Sequence, residues 1–465
     1  MPIPFIEPKA SAIADENRCM HAGEPVSVAA SAARPAVRVP RLRPTELGLL
    51  LLALGILGLG LWQMDLARDG ALAQRSVVAL GAFGGAFLIM HAWLTIRRPF
   101  ADQLVLPIAA AICALGQIVV ARLIPELAVR QGMWVGVGAV ALLGVVTVLP
   151  SIGWLRRYRY TFAALGVALV LSTFVLGVDP NGSGARLWLG AGGVYFQPSE
   201  VFKILLVIFF AAYLDEYREL LSYAGPRVGP LRLPPLPYLT PLLGMLALAL
   251  LVVVLQRDLG AALLFFGVFL ALLYAASGRA LFVVLGVALF AVGATFLYQF
   301  FDHVQLRVDI WLDPWSRADT GGYQLVQGLT ALAAGGIAGT GLTFGYPEYV
   351  PAAHTDFVIA AIGEELGLAG SLGVLALYVL LVHRGFHIAL RTRDTFAALL
   401  AVGLTSVVGI QALVILGGTL KLMPLTGVTL PLLSYGGSSI LANFILLGLL
   451  LSISHESEAR LAAEH

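Results

Sequence analysis

The sequence has little charge, hardly any lysine and almost no cysteine. Charged residues make up 12% of its 465 residues, only three of them are lysines, and the two cysteines, Cys19 and Cys113, lie far apart. Neither cysteine has the spacing of a disulfide framework or a metal motif. The net charge is only +2 and the basic residues are dispersed, which gives no surface for nucleic acid. These shortages exclude a disulfide-stabilised domain and indicate no nucleic-acid partner.

Apolar residues are what the sequence has in abundance. They make up 59% of the chain, and the mean hydropathy of +0.89 is far above that of a soluble domain. A helix needs about 20 mostly apolar residues to cross a bilayer. We therefore expect an all-α integral membrane protein, a polytopic bundle of about twelve transmembrane helices. The predicted spans are 47–64, 76–95, 103–122, 133–150, 160–178, 199–214, 238–255, 259–276, 279–299, 356–382, 397–419 and 434–453.

Arginines in the connecting segments indicate the orientation, because positively charged loops stay in the cytoplasm. If the N-terminus is cytoplasmic, each of the five internal loops on the cytoplasmic side carries arginine. These arginines are Arg97, Arg98, Arg156, Arg157, Arg159, Arg218, Arg227, Arg232, Arg279, Arg384, Arg391 and Arg393. We expect a flexible cytoplasmic tail over 1–46, a membrane domain over 47–453 and a short cytoplasmic C-terminal tail over 454–465. The long segments 179–198 and 300–355 then face the outside.

The segment 300–355 has an unusual composition for a loop. It includes RVDIWLDPWSRADTGGYQ, residues 307–324, which contains Asp309, Asp313 and Asp319. The stretch that follows, 325–343, has too many glycines to span the membrane and is too apolar to be solvated. We expect short or re-entrant helices there, because irregular backbone at membrane depth is tolerated only against protein or a cavity.

Several ionisable residues lie at or inside the predicted spans, and each is a functional hypothesis because such residues are costly in a bilayer. Glu200 and Lys203 are three residues apart on one helical face, which also suits a simple intrahelical pair. In HTDFVIAAIGEELG, Asp356 suits a helix N-cap, whereas Glu364 and Glu365 need a cationic or hydrogen-bonding partner. At this point a catalyst, a carrier and a scaffold all remain open.

Five motifs in order give the chain a resemblance to a known family. They are GARLWLGAGGVYFQPSEVFK, QRDLGAALL, GYQLVQGLTALAAGGIAGTGL, AAHTDFVIAAIGEELGLAG and PLTGVTLPLLSYGGSS, and they lie between about residues 160 and 453. This pattern resembles the SEDS family (shape, elongation, division and sporulation), which includes FtsW- and RodA-type proteins. The family core is thus expected over 160–453, with the catalytic loop in 300–355.

The resemblance implies a peptidoglycan glycosyltransferase of the bacterial cytoplasmic membrane. Such proteins polymerise lipid II on the outer face, release undecaprenyl pyrophosphate and work with a class B penicillin-binding protein in division or elongation. Arg186, Lys203 and Arg307 are then expected to bind the pyrophosphate, with or without a divalent cation such as Mg²⁺ or Mn²⁺; we see no metal-ligand motif. Glu200, Asp258, His354, Asp356 and Glu365 are expected to shape the cavity. A flippase for the lipid-linked precursor and a non-catalytic scaffold are the alternatives.

The chain departs from the family pattern at two positions. Arg257 stands where the family has proline. The aspartate expected to be catalytic in the family aligns, without gaps, with Arg317. A small shift of the loop would bring Asp319 into that role, which Gly321 and Gly322 would permit. We therefore expect Asp319 to be the general base, with Asp313 as the alternative; a member with weakened polymerase activity is the third reading.

Overall fold

The protein is almost entirely helical over the residues that the computed structural model describes, which are 43–70, 73–180, 182, 186–222, 227–228, 231–232 and 236–464. The helices are α1 Pro44–Asp69, α2 Gln74–Arg97, α3 Val105–Leu123, α4 Pro125–Val148, α5 Ile152–Arg157, α6 Arg159–Leu176, α7 Pro198–Ser222, α8 Leu236–Leu255, α9 Leu259–Ser277, α10 Ala280–Phe300, α11 Asp302–Leu312, α12 Tyr323–Gly335, α13 Val358–Arg391, α14 Thr395–Thr419 and α15 Gly437–Glu464. Short antiparallel pairs join β1 Leu189–Ala191 to β2 Val194–Phe196 and β3 Arg227–Val228 to β4 Leu231–Arg232.

Every predicted span falls on a helix, and the all-α membrane architecture is confirmed. Ten helices within the described ranges are long and apolar enough to cross a membrane. The two predicted spans outside this set lie in α7, which has charged residues near both ends, and in α8, which is apolar and has 20 residues. The expected count of about twelve is therefore not confirmed.

Helix α15 lies at the centre of the bundle, and α10 lies at its edge. In α15, 83% of the most apolar 18-residue stretch is buried inside the protein, and the helix packs mainly against α4. In α10, none of the corresponding stretch is buried. Lipid supplies no hydrophobic force between helices, so close packing at small residues holds them together. Gly138 of α4 shows this, since a Cβ there would lie 2.6 Å from the ring of Phe444 in α15.

Helix α13 is broken at Gly367, which has φ 70° and ψ −167°. The backbone groups freed by the break bond to the segment that follows α12. The amide of Leu368 donates to the carbonyl oxygen of Gly336 at 2.9 Å, and the amide of Thr340 donates to that of Glu364 at 2.9 Å. Because unsatisfied backbone is not tolerated at membrane depth, the break and this segment depend on each other. The expected short helices of the segment 300–355 are α11 and α12.

The segment before α7 contains a β-hairpin that the sequence did not predict. Its turn residues, Gly192 and Gly193, have φ of 64° and 84°, and Ala191 pairs with Val194. Two left-handed residues between paired strands form a type I′ turn. The sequence does not reveal it, because strands of three residues are too short to show a period of two.

The helices extend into both predicted tails. Almost all of 1–46 lies outside the described residues, but α1 already begins at Pro44, and proline suits the first position of a helix. Arg43 before it is buried and bonds to the carboxylate of Glu46 and to the carbonyl oxygen of Asp102 at 2.8 Å. At the other end α15 continues to Glu464, so most of the predicted C-terminal tail is helical.

Candidate functional site

A cavity of about 910 Å³ opens at the end of the bundle that carries the hairpin and α11. One wall is apolar and includes Met133 and Val137 of α4 and Leu264 of α9. Its polar lining comes from separate segments of the chain. These residues are Arg130, Gln197, Ser199, Glu200, Lys203, Arg257, Asp258, Arg307, His354, Thr355, Asp356, Thr426, Thr429, Tyr435, Ser438 and Ser439. Such a mixture of an apolar wall and convergent polar groups is typical of a ligand site.

Glu200 and Lys203 form the floor of this cavity. The Nζ atom of Lys203 donates to Oε2 of Glu200 at 2.6 Å and to Oε1 of Gln411 at 3.0 Å. Gln411 in turn donates to the carbonyl oxygen of Thr429 at 2.8 Å. The lysine is 2% exposed, so its charge is matched inside the protein, as a buried ammonium requires. The expected pairing on one helical face is confirmed.

Asp258 lies at the junction of α8 and α9, where it caps α9. Its Oδ1 accepts the amide of Ala261 at 2.9 Å, and its Oδ2 lies 3.4 Å from Nε2 of Gln197. Burial raises the pKa of Asp258, and the Ala261 amide and the charge of Arg307 oppose that rise. The carboxyl is thus fixed by the helix end and faces the cavity with little freedom to turn.

The side chains of Arg307 and Asp356 both lie close to Gly427. A Cβ at Gly427 would lie 3.9 Å from Oδ2 of Asp356 and 4.0 Å from Nη2 of Arg307. Arg307 also donates from Nη1 to the carbonyl oxygen of Leu425 at 2.9 Å. Burial raises the pKa of Asp356 to about 6, against the hydrogen bond of Thr355 and the Arg307 charge. A carboxyl with this pKa can exchange a proton near neutral pH.

Two expectations about the stretch 354–365 were wrong: the cap role of Asp356 and the position of Glu365 in the cavity. Asp356 does not cap α13, because the residue at the N-cap is Phe357 and no side chain bonds there. His354 lines the cavity, and burial lowers its pKa. Glu365 lies outside the cavity lining. It pairs with Nε of Arg122 at 2.9 Å and accepts the amide of Thr343 at 3.2 Å, which supplies the partner that a buried carboxylate needs.

The expected general bases are not brought into the cavity. Asp319 and Asp313 are both exposed and neither belongs to the cavity lining. Oδ1 of Asp313 lies 3.3 Å from the amide of Ser316. Arg317, at the position where the family has aspartate, pairs with Oδ2 of Asp309 at 3.4 Å on the surface. Arg186 is likewise exposed and outside the lining.

Two cationic residues of the lining were not among the expected site residues. Arg130 of α4 donates to the carbonyl oxygen of Gly193 in the hairpin at 3.2 Å, and Arg257 stands between α8 and α9. Arg130 could have been found, because it interrupts an apolar helix near its end. In the part of the chain that the structure describes, no group of three or more His, Cys, Asp or Glu is placed to hold a metal ion.

Comparison with known proteins agrees with this architecture. The family FTSW_RODA_SPOVE, described as cell cycle protein, matches residues 105–459 and so begins before the 160 expected from the motifs. The peptidoglycan glycosyltransferase RodA of Mycobacterium tuberculosis is 44% identical over 391 residues, which are 81% of this chain and 83% of that protein. A probable peptidoglycan glycosyltransferase FtsW of Geobacter metallireducens is 34% identical over 327 residues, 70% of this chain and 84% of that one.

Solved structures give the same result. One, described as "Structural coordination of polymerization and crosslinking by a peptidoglycan synthase complex", has a TM-score of 0.64 and 29% identity, and covers 77% of this chain and 98% of that chain. The crystal structure of the rod shape determining protein RodA of Thermus thermophilus has a TM-score of 0.54 and 28% identity, with 77% and 97% covered. By its motifs, its family match and its relatives, this chain belongs to the FtsW/RodA/SpoVE family, the SEDS proteins.

Proposed function

We propose that this chain is a peptidoglycan glycosyltransferase that polymerises lipid II into glycan strands. The observation that carries the proposal is the cavity, which places Arg307, Asp258 and Asp356 beside an apolar wall. A lipid-linked sugar diphosphate needs this combination, because its tail is apolar and its diphosphate is anionic. The related RodA and FtsW proteins are named as peptidoglycan glycosyltransferases.

The reaction makes two demands on the protein. The 4-hydroxyl of one lipid II attacks the anomeric carbon of the growing strand, and undecaprenyl pyrophosphate leaves with inversion at that carbon. A carboxylate must take the proton of the hydroxyl, and cations must stabilise the charge that develops on the leaving group. The cavity contains groups of both kinds.

For the general base we propose Asp319, with Asp313 as the alternative on the same loop. Both are exposed, and Gly321 and Gly322, two and three residues after Asp319, give the loop backbone freedom to bring a carboxylate to a bound substrate. Asp356 is a further candidate that the structure favours by position, since it already faces the cavity and has a pKa of about 6. Substitution of each of the three separates them.

For the pyrophosphate we propose Arg307, whose guanidinium lies in the lining and can offer two parallel N–H donors to phosphate oxygens. Lys203 lies in the cavity floor and is proposed to hold the site in place. Its charge is already matched by Glu200, so it is less available to the pyrophosphate. Arg186 was expected to share the pyrophosphate, but its exposed position outside the lining leaves that role to Arg307.

We further propose that the cavity faces the outside of the bacterial cytoplasmic membrane and that both termini are cytoplasmic. The arginines at the opposite end of the bundle support this orientation, for example Arg156, Arg384 and Arg391 with their carboxylate partners. A class B penicillin-binding protein is the proposed partner, because a similar solved structure is described as a synthase complex that joins polymerization to crosslinking. Labelling of single cysteines at positions 319 and 391 in intact cells tests the orientation.

The activity is tested with purified protein, its penicillin-binding protein and lipid II in detergent, where no lipid has to cross a bilayer. Glycan strands of several lengths on a gel, with penicillin present to block crosslinking, are the expected result. A flippase or a scaffold gives no strands in this assay. Repeating it with Mg²⁺, with Mn²⁺ and with a chelator shows whether a divalent cation takes part.

A further inference from the structure

Helix α8 ends in a Schellman motif whose left-handed residue is Arg257. The amide of Arg257 donates to the carbonyl oxygen of Val254 at 2.9 Å, and the amide of Asp258 donates to that of Val253 at 2.9 Å. These are the two bonds of the motif, and Arg257 takes the position that glycine usually occupies. Its φ of 62° is a conformation that side chains with a Cβ disfavour. Backbone geometry therefore does not explain an arginine here.

The residues on either side hold this turn in place. Gln256 is buried, and its Nε2 donates to the hydroxyl of Thr173 and to the carbonyl oxygen of Val170 in α6 at 3.2 Å. Asp258 is fixed as the cap of α9 through the amide of Ala261. A strained conformation that its surroundings determine so fully is found most often at functional sites. The turn presents the side chain of Arg257 to the cavity.

Arg257 differs from the other cations of the cavity, because its side chain has no partner among the residues that the structure describes. Lys203 pairs with Glu200, and Arg307 and Arg130 each donate to a backbone carbonyl oxygen. The guanidinium of Arg257 makes no hydrogen bond or ion pair with any residue that the structure describes. Burial, followed by the charges of Arg257 and Arg307, lowers the pKa of His303, so the two arginines act on the same region.

We propose that Arg257 binds the diphosphate of the lipid-linked substrate together with Arg307. The inference rests on the proposed function for the identity of the lipid, but the anionic class of ligand follows from the cavity itself. The guanidinium of Arg257 has five N–H donors and finds no acceptor within the described part of the chain. Two guanidiniums can hold the two phosphates of a diphosphate, whereas a single phosphate would occupy only one of them.

The chain contains a matched control for this position. Lys421 at the end of α14 has φ 60°, its amide donates to Gly418 at 3.2 Å, and the amide of Leu422 donates to Gly417 at 2.7 Å. It is therefore a second cationic residue in the left-handed position of a Schellman motif. Lys421 does not line the cavity. Arg257→Gly and Lys421→Gly each remove one positive charge and relieve the same backbone strain.

The test measures binding of undecaprenyl diphosphate and of undecaprenol to the purified full-length protein in detergent. Arg257→Gly should keep or raise the thermal transition, because glycine suits the turn. It should bind the diphosphate about tenfold more weakly and raise the KM for lipid II by a similar factor, the loss expected for a charged hydrogen bond. Undecaprenol should bind all variants equally, Arg257→Lys should fall between, and Lys421→Gly should match the wild type.

Diphosphate binding by Arg257→Gly at the wild-type level overturns the proposal, and so does an equal loss in Lys421→Gly. Should Arg257→Gly fail to fold, Arg257→Gln takes its place with the same expectations for diphosphate binding and KM. A wild type that makes glycan while Arg257→Gly is unchanged removes Arg257 from the site and leaves the proposed function intact. A wild type that binds undecaprenyl diphosphate through Arg257 but makes no glycan supports the role of Arg257 and overturns the proposed function.

Discussion

The Nζ atom of Lys203 lies 2.6 Å from Oε2 of Glu200, and the two side chains are 2% and 11% exposed. A buried pair of this kind adds little net stability, but removing one member leaves an uncompensated charge. This relationship determines which substitutions in the cavity floor are informative.

Lys203→Met should destabilise the protein by about 3 kcal/mol, because the carboxylate of Glu200 loses its partner. The double variant Glu200→Gln/Lys203→Met should recover most of that loss, since no charge is then left unpaired. Thermal unfolding in detergent measures both. A double variant as unstable as Lys203→Met would contradict the pairing.

Gly335→Ala should destabilise the protein by about 2 kcal/mol or more, because the added Cβ would lie 1.8 Å from the carbonyl oxygen of Gly363. Gly373→Ala is the control within α13, since a Cβ there meets nothing within 4 Å. That control should be neutral or stabilising by up to about 1 kcal/mol, as alanine favours helix. Equal thermal stability of the two variants would show that α12 does not approach α13 as described.

Asp356 should make stability fall as pH rises. Its pKa is raised from 3.8 to about 6 in the folded protein, so between these values the folded state binds more protons than the unfolded state. The contribution is favourable at pH 4 and is lost as pH passes 6. Asp356→Asn should therefore gain up to about 3 kcal/mol relative to the wild type between pH 4 and pH 7. Unfolding at several pH values checks this, and a constant difference would exclude the raised pKa.

Arg122→Lys should loosen the segment after α12. Arg122 donates to Oε1 of Glu365 at 2.9 Å and to the carbonyl oxygen of Gly345 at 3.0 Å, and a lysine cannot reproduce this fork. Hydrogen exchange of the amides of Thr343 and Tyr346, which bond to Glu365 and Glu364, should speed up by about tenfold. Arg391→Lys, at an exposed pair with Glu458, should leave that exchange unchanged.

Much of the fold could be predicted because spans are long and apolar. The site was harder, since its parts come from segments far apart in sequence. Glu200 and Lys203 could be paired from their spacing, but their contact with Gln411 depends on how α7 and α14 pack. The break at Gly367 was hidden because the sequence around it remains apolar and helical in pattern. Its backbone partners come from a segment about thirty residues earlier.

Arg257 shows a different limit of prediction from the sequence. Its departure from the family's proline was visible in the sequence, yet its meaning depends on the backbone. Proline is fixed near a φ of −65° and cannot adopt the 62° seen at Arg257. The sequence alone therefore revealed the substitution of proline by Arg257, and the structure showed that Arg257 lines the cavity.

The measurement that tests the account most directly is polymerisation of lipid II in detergent by the wild type, Asp319→Ala, Asp313→Ala and Asp356→Asn, each with the partner protein. We predict strands from the wild type and from Asp313→Ala, and a rate lowered at least about a hundredfold in Asp319→Ala, with its thermal stability unchanged because Asp319 is exposed. Full activity of Asp319→Ala with loss in Asp356→Asn would move the base into the cavity. No strands from the wild type would contradict the central claim that this cavity polymerises lipid II.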